Sequence, residues 1–260
     1  MDYNEVDPLE YENRYLKSPR EYYTHHHWLP IFENAVEKYC KNGRILDLGC
    51  GPGSSTKIVR KFNENTIGID IAYQWLSYAK KENPQLDLVF ADCESIPLKM
   101  KSVDAVVSWG LFEFVDRGAT IKEISRVLKD NGICIILVPN RYSAYRLPQK
   151  IYSKVVGKKY EKSEPSKSEM ISLFKMAGLE TIEFWMDDGL IMLPNAIDSK
   201  VGLKTYQIVE KVAKKFGENP FSNIMVLVGR KVTKKARRDR NSMKIAILVG
   251  LFPPKWLAGT

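Results

Sequence analysis

The stretch Ile45-Leu46-Asp47-Leu48-Gly49-Cys50-Gly51-Pro52-Gly53 decides the reading of this 260-residue chain. A short buried strand runs straight into a glycine-rich turn, and a helical pattern starts at Ser54. Glycines at such a turn let a ligand approach the backbone closely. The helix N-terminus behind them offers N–H groups and a partial positive charge, which suit an amino-acid carboxylate as well as a phosphate. Taken alone the turn is ambiguous. A dinucleotide-binding fold places its glycines as G-x-G-x-x-G, whereas here they fall at Gly49, Gly51 and Gly53.

Outward from that turn, short β-branched apolar runs alternate with longer amphipathic stretches, the pattern of βαβ units. Strands are expected at 44–48, 66–70, 86–91, 103–108 and 133–139. Helices are expected at 54–61, 74–82 and 120–128, the last carrying Ile121, Ile124, Val127 and Leu128 on one face. Asn131-Gly132 should end that helix and turn the chain into the fifth strand. Residues 140–165 are rich in Tyr, Lys and Arg with only a weak helical period at 151–156, and read as a lid or substrate-facing insertion. Ser166 or Ser168 can cap a helix through Met176 that Gly178 stops. A sixth strand follows at 179–185, then a second insertion at 187–220 with a helix near 205–216, then a seventh strand at 221–231. The expectation is an α/β fold: a Rossmann-like, doubly wound, seven-stranded, mostly parallel sheet ending in an antiparallel hairpin.

Two further strand-end elements accompany the turn. Asp70, in Gly68-Ile69-Asp70-Ile71, ends the second strand where a carboxylate can accept hydrogen bonds from both ribose hydroxyls. Phe90-Ala91-Asp92-Cys93 follows the third strand and places a second carboxylate where an adenine amino group could be read, with the Cys93 N–H available to a ring nitrogen. Three such elements in order resemble the class I S-adenosylmethionine (SAM)-dependent methyltransferases, in the small-molecule subgroup sometimes called type 11, over about residues 43–139. The resemblance implies that Asp47, Gly49, Gly51 and Gly53 hold the methionine part of SAM, with Cys50 also among the cofactor-binding residues, and Asp70 the ribose. It implies that Asp92 and Cys93 hold the adenine with Ile71 on its face, and that Ser108 and Trp109 touch the cofactor and begin the acceptor pocket. It also gives residues 124–132 a structural role. Where that family often carries Glu-His after the fourth strand, this chain has Glu113-Phe114, so no His base stands there and no catalytic residue is assigned.

The net charge is +9, and 229–244 supplies +7 of it, with eight basic residues against Asp239. The remainder carries little electrostatic case for a polyanion. The basic run is read as a solvated linker, with a nucleic-acid or anionic-lipid contact as its alternative, and for the chain as a whole nucleic acid is not the expected partner. The Asn-Pro-Pro-Tyr pattern of base amino-methylation is absent after the fourth strand, where Ser108-Trp109-Gly110-Leu111 stands. Four cysteines without a C-x-x-C pair suggest a reducing, cytoplasmic setting and no metal. No signal pattern or spanning apolar run is visible. His25-His26-His27 sits among aromatics and reads as part of a helix. The aromatic segment Tyr11, Tyr15, Tyr22, Tyr23, His27 and Trp28 could fold over the cofactor.

The domain reading is a helical cap at 1–42, the methyltransferase domain at 43–231, a basic linker at 232–242, and a fragment at 243–260. That fragment resembles the opening strand and Pro-Pro loop of two-Rossmann-domain glycosyltransferases, and implies a fused or neighbouring glycosyltransferase. The functional expectation is in-line methyl transfer from SAM to a small-molecule, sugar or lipid-linked acceptor. A non-catalytic SAM-binding partner and an NAD-dependent oxidoreductase are the alternatives.

Overall fold

A computed structural model describes residues 6–11, 19–143, 146–157, 163–186 and 222–233. Its elements in chain order are α1 (Pro19–Tyr39), β1 (Ile45–Leu48), α2 (Ser54–Arg60), β2 (Thr66–Asp70), α3 (Tyr73–Glu82), β3 (Asp87–Phe90) and β4 (Val103–Trp109). They continue with α4 (Arg117–Val127), β5 (Leu128–Pro139), α5 (Arg146–Val155), α6 (Lys167–Met176), β6 (Leu179–Met186) and β7 (Ile224–Lys231). The seven strands form one sheet in the order β3-β2-β1-β4-β5-β7-β6. β1 to β5 pair in parallel, while β7 runs antiparallel to both β5 and β6. The seven-stranded, mostly parallel sheet with an antiparallel end is therefore as read from the sequence.

The central strands are mostly apolar because both sheet faces are covered there. Along β5, Cys134, Ile136 and Val138 join one core cluster with Phe112, Ile121 and Ile124 from the α4 side and Phe174 from α6. Ile135 and Leu137 point the other way, joining Phe32, Ala35 and Val36 of α1 and Ile58 and Val59 of α2. This alternation is the period-two geometry of a strand applied to a two-sided core.

The α4–β5 junction differs from expectation. Helix α4 stops at Val127, and Leu128 is already extended and paired with Val103. Asn131, at φ 64°, and Gly132 lie inside a bulge, since the next pair is Ala105 with Ile133. A Cβ on Gly132 would sit 2.9 Å from the Lys129 carbonyl and 3.0 Å from that of Asp104, so glycine serves the bulge and not the helix end. What closes α4 is distant in sequence: Lys231 Nζ donates to the carbonyls of Ser125 at 2.5 Å and Leu128 at 2.6 Å.

The weak period at 151–156 belongs to α5, which begins at Arg146. Ser166 caps α6, accepting from the Glu169 N–H at 3.2 Å, and Gly178 at φ 76° ends it. His25–His27 fall within α1. The helix expected at 205–216, the basic run beyond Thr233 and the 243–260 fragment lie outside the described residues. No described helix is long and apolar enough to cross a membrane.

Candidate functional site

The parallel strands end at one edge, and the sheet order reverses there: β1 connects away to β2 and β3, while β4 lies on its other side. Such a switch point leaves a crevice at the carboxyl ends of β1 and β4. The register sets the edge, with Leu48 beside Ile69, Asp70 beside Phe90 and Asp47 beside Val107.

The glycine turn occupies the middle of this edge. Gly49, Gly51 and Gly53 all take positive φ, at 76°, 53° and 87°. Space is tight as well, since a Cβ would meet the Leu111 side chain at 2.9 Å from Gly49, the Trp75 ring at 3.0 Å from Gly51, and the Leu86 side chain at 2.9 Å from Gly53. The Gly49 and Cys50 N–H groups donate to the Ile69 carbonyl, which ties the turn to β2.

Asp47 is completely buried. Its Oδ2 accepts from the hydroxyls of Ser55 at 2.6 Å and Thr56 at 2.7 Å, in the first turn of α2. Its Oδ1 has no hydrogen-bond partner among the described residues. Burial pushes the carboxyl up to about 6, against the pull of the two hydroxyls and with the Asp70 charge adding to the rise. Asp70 joins two elements: its Oδ2 accepts from the Gly51 N–H at 2.8 Å and its Oδ1 from the Ala72 N–H at 2.8 Å. Burial raises its pKa while those backbone donors oppose the rise.

The β3 end is joined by the Ala91 N–H donating to the Asp70 carbonyl at 3.0 Å. Ile71 is exposed there, as are Tyr73 and Phe90, whose rings meet edge-on at 6.0 Å. Asp92 is exposed, its Oδ1 accepting from the Glu94 N–H at 2.8 Å. Cys93 is half-buried with Sγ 3.8 Å from the Thr120 hydroxyl. Burial raises the Cys93 thiol to about 11 and the Cys50 thiol well above the ordinary range, so both are neutral near pH 7.

At the β4 end, Ser108 and Trp109 face opposite sides. Ser108 is fully buried and its hydroxyl has no hydrogen-bond partner among the described residues. The Trp109 ring packs on Phe32 of α1, with ring centroids 5.1 Å apart. Asp47, Gly49, Cys50, Gly51, Gly53 and Asp70 therefore form one bonded cradle, with Ile71, Asp92 and Cys93 along its β2–β3 side and Ser108 and Trp109 on its β4 side.

Several contributors were missed by reading the sequence. Ser55 and Thr56, which hold Asp47, were visible only as hydroxyls in the first turn of an expected helix. Trp75 and Leu111, which bound the glycines, carried no signal, because their proximity comes from the fold. Trp75 also binds the N-terminal segment, donating from Nε1 to the Val6 carbonyl at 3.0 Å and packing against the Tyr11 ring in a tilted arrangement with centroids 4.7 Å apart. Tyr11 thus reaches the glycine turn through Trp75, and Trp28 packs against the α1 side of the core. Glu113 is buried beside the β4 end.

Beyond the cradle, charged groups fasten the 140–169 region. Glu169 accepts from Arg117 Nε and from Arg141 Nη2, each at 2.7 Å. Arg117 Nη1 also donates to the Ser163 carbonyl at 2.6 Å, and the buried Glu164 pairs with Lys150 at 2.9 Å.

Residues 46–136 match the family described as Methyltransferase domain. An uncharacterized protein of Methanocaldococcus jannaschii is 33% identical over 135 residues, covering 51% of this chain and 52% of the relative. A protein of Mycolicibacterium smegmatis named "Probable S-adenosylmethionine-dependent methyltransferase" is 27% identical over 103 residues, covering 39% of this chain and 40% of the relative. The chain spans about half or less of the length of these relatives. Among solved structures, a SAM-dependent methyltransferase from Thermotoga maritima superposes with a TM-score of 0.59 at 21% identity, covering 86% of this chain and 95% of that one, which establishes the shared fold.

Proposed function

We propose, on the premise that residues 46–136 are a methyltransferase domain, that this chain binds SAM and transfers its methyl group in line to a small-molecule, sugar or lipid-linked acceptor. The observation that carries the reading is the Gly51 N–H to Asp70 Oδ2 bond, which joins the glycine turn and the β2 acid into one cradle at the switch point.

The residues fit the group. A buried carboxylate oxygen on Asp47 is left open to a donor, which suits an amino-acid ammonium. The left-handed glycines bring bare backbone to a carboxylate, and Asp70 stands where a ribose would be held. Ile71 would line the adenine face, with Asp92 and the Cys93 N–H at its edge. Ser108 and Trp109 would mark the start of the acceptor pocket. When bound, SAM supplies a methyl group activated by its sulfonium. The chain's part is to orient and desolvate, which for an in-line displacement provides much of the acceleration. The cradle provides no thiolate nucleophile, because burial keeps the Cys50 and Cys93 thiols neutral near pH 7.

Calorimetric titration with SAM, S-adenosylhomocysteine and NAD tests this on wild type, Asp70→Ala and Asp70→Asn. Loss of a charge-assisted hydrogen bond predicts binding of SAM and S-adenosylhomocysteine weakened by about 10- to 100-fold in both variants, with circular dichroism unchanged in the Asn variant. Binding of NAD in place of SAM, or no binding by wild type, overturns the reading. The oxidoreductase alternative predicts the former, and a non-catalytic SAM-binding protein predicts binding without turnover on any acceptor.

A further inference from the structure

Helix α5 is mounted with its apolar side outward. On a helix of 100° per residue, Ile151, Val155 and Tyr152 share one continuous arc, and Lys150 lies on the far side from it. A core-facing helix would bury that arc. Here Ile151 is 57% exposed, Tyr152 67% and Val155 78%, while Lys150 on the other side donates to the Arg141 carbonyl at 3.1 Å and pairs with the buried Glu164. The polar side holds the helix to the protein, and the apolar side faces outward.

Charge accompanies the exposed apolar arc. Residues 141–162 hold seven basic residues, Arg141, Arg146, Lys150, Lys154, Lys158, Lys159 and Lys162, against the single acid Glu161, and two of the seven, Arg141 and Lys150, are paired with Glu169 and Glu164. With 229–244 this region accounts for more than the whole net charge, so the rest of the chain is net acidic. Lys154 is exposed beside Val155. A basic helix presenting Ile, Tyr and Val is the pattern of an interfacial amphipathic helix, in which apolar side chains enter the headgroup–acyl boundary and cations meet lipid phosphates. Single-stranded nucleic acid would call for aromatic stacking platforms along a groove, not an aliphatic arc.

Position gives the arrangement a purpose. α5 follows the carboxyl end of β5, the same edge as the glycine turn, whereas β7 leaves the sheet at the opposite edge, where Arg230 pairs with Ile133. The two basic regions therefore start from opposite edges of the sheet. We propose that Ile151, Tyr152 and Val155 of α5 seat this protein on an anionic lipid surface, with the strand-end cradle turned toward the bilayer. Lipid-linked acceptors would then be presented where the methyl group is held, a consequence that rests on the methyltransferase reading.

The test is co-sedimentation of the full chain with vesicles of phosphatidylcholine carrying about a third phosphatidylglycerol, against phosphatidylcholine alone. Wild type is compared with the triple variant Ile151→Gln, Tyr152→Gln, Val155→Gln and with a variant in which Lys234, Lys235, Arg237, Arg238 and Arg240 are all Gln. The exposed positions allow the triple variant to fold, which its circular dichroism checks. Expected are binding to the anionic vesicles about tenfold above the neutral ones, and a loss of about fivefold or more in the triple variant. The basic-run variant should retain most of the binding. No binding by wild type, undiminished binding by the triple variant, loss confined to the basic-run variant, or self-association of wild type abolished by the triple variant each overturns the proposal. SAM affinity, titrated on the same samples, reports separately on the methyltransferase reading.

Discussion

Asp47 shows how one buried group links stability, pH and binding. Its ordinary value is 3.8, and burial raises it in the folded chain to about 6. Between those values the folded state keeps a proton that the unfolded state has lost, so this group makes stability fall as pH rises from about 4 to 6, by on the order of 3 kcal/mol in all. Asp47→Asn should remove that fall, and urea midpoints at pH 4.5 and 7 would show it; parallel curves for variant and wild type would refute the assignment. The sign reverses for a cationic ligand. If the SAM ammonium meets Asp47, wild-type affinity weakens as pH drops through about 6, and the Asn variant loses both affinity and that dependence. The place of Asp47 near the end of β1, just before three glycines, was readable in the sequence, but its partners Ser55 and Thr56 needed the start of α2 folded against it.

At the scale of elements, α6 is the clearest case of local sequence acting alone and then being redirected. Ser166-Lys167-Ser168-Glu169 has the spacing of a capping box, and the serine does cap the helix. Ser166→Ala should lower stability by about 1 kcal/mol, read as a shift in the urea midpoint with an unchanged slope. The glutamate is diverted, because Arg117 from α4 and Arg141 beyond β5 both take its carboxylate. No spacing rule links residues 117, 141 and 169, so that clamp on the 140–169 region was illegible before folding. The same holds at the end of α4, where Asn131-Gly132 reads as a helix stop. Pairing of Leu128 with Val103 instead draws the chain into β5 five residues early, and Lys231 caps the abandoned carbonyls.

Over the whole molecule, α1 is part of the core and not a loose cover. Phe32 is fully buried against Trp109 at the end of β4, and Ala35, Val36 and Cys40 share its cluster with β5 and β7. Phe32→Ala should lower stability by about 3–5 kcal/mol in one cooperative transition. Early unfolding of the N-terminal region by hydrogen exchange, with the rest of the denaturation curve unmoved, would instead mark α1 as a detachable cap. The sequence by itself determined the strand and helix types, their order and the glycine turn with its two acids. Those depend on local periodicity, on turn chemistry and on the few residues a left-handed backbone accepts. Only the tertiary structure decided that Gly51 and Asp70 bond, that Trp75 closes over the turn and that α5 faces its apolar side outward. Each of these depends on which surfaces the sheet order brings together, and that order is a property of the assembled chain.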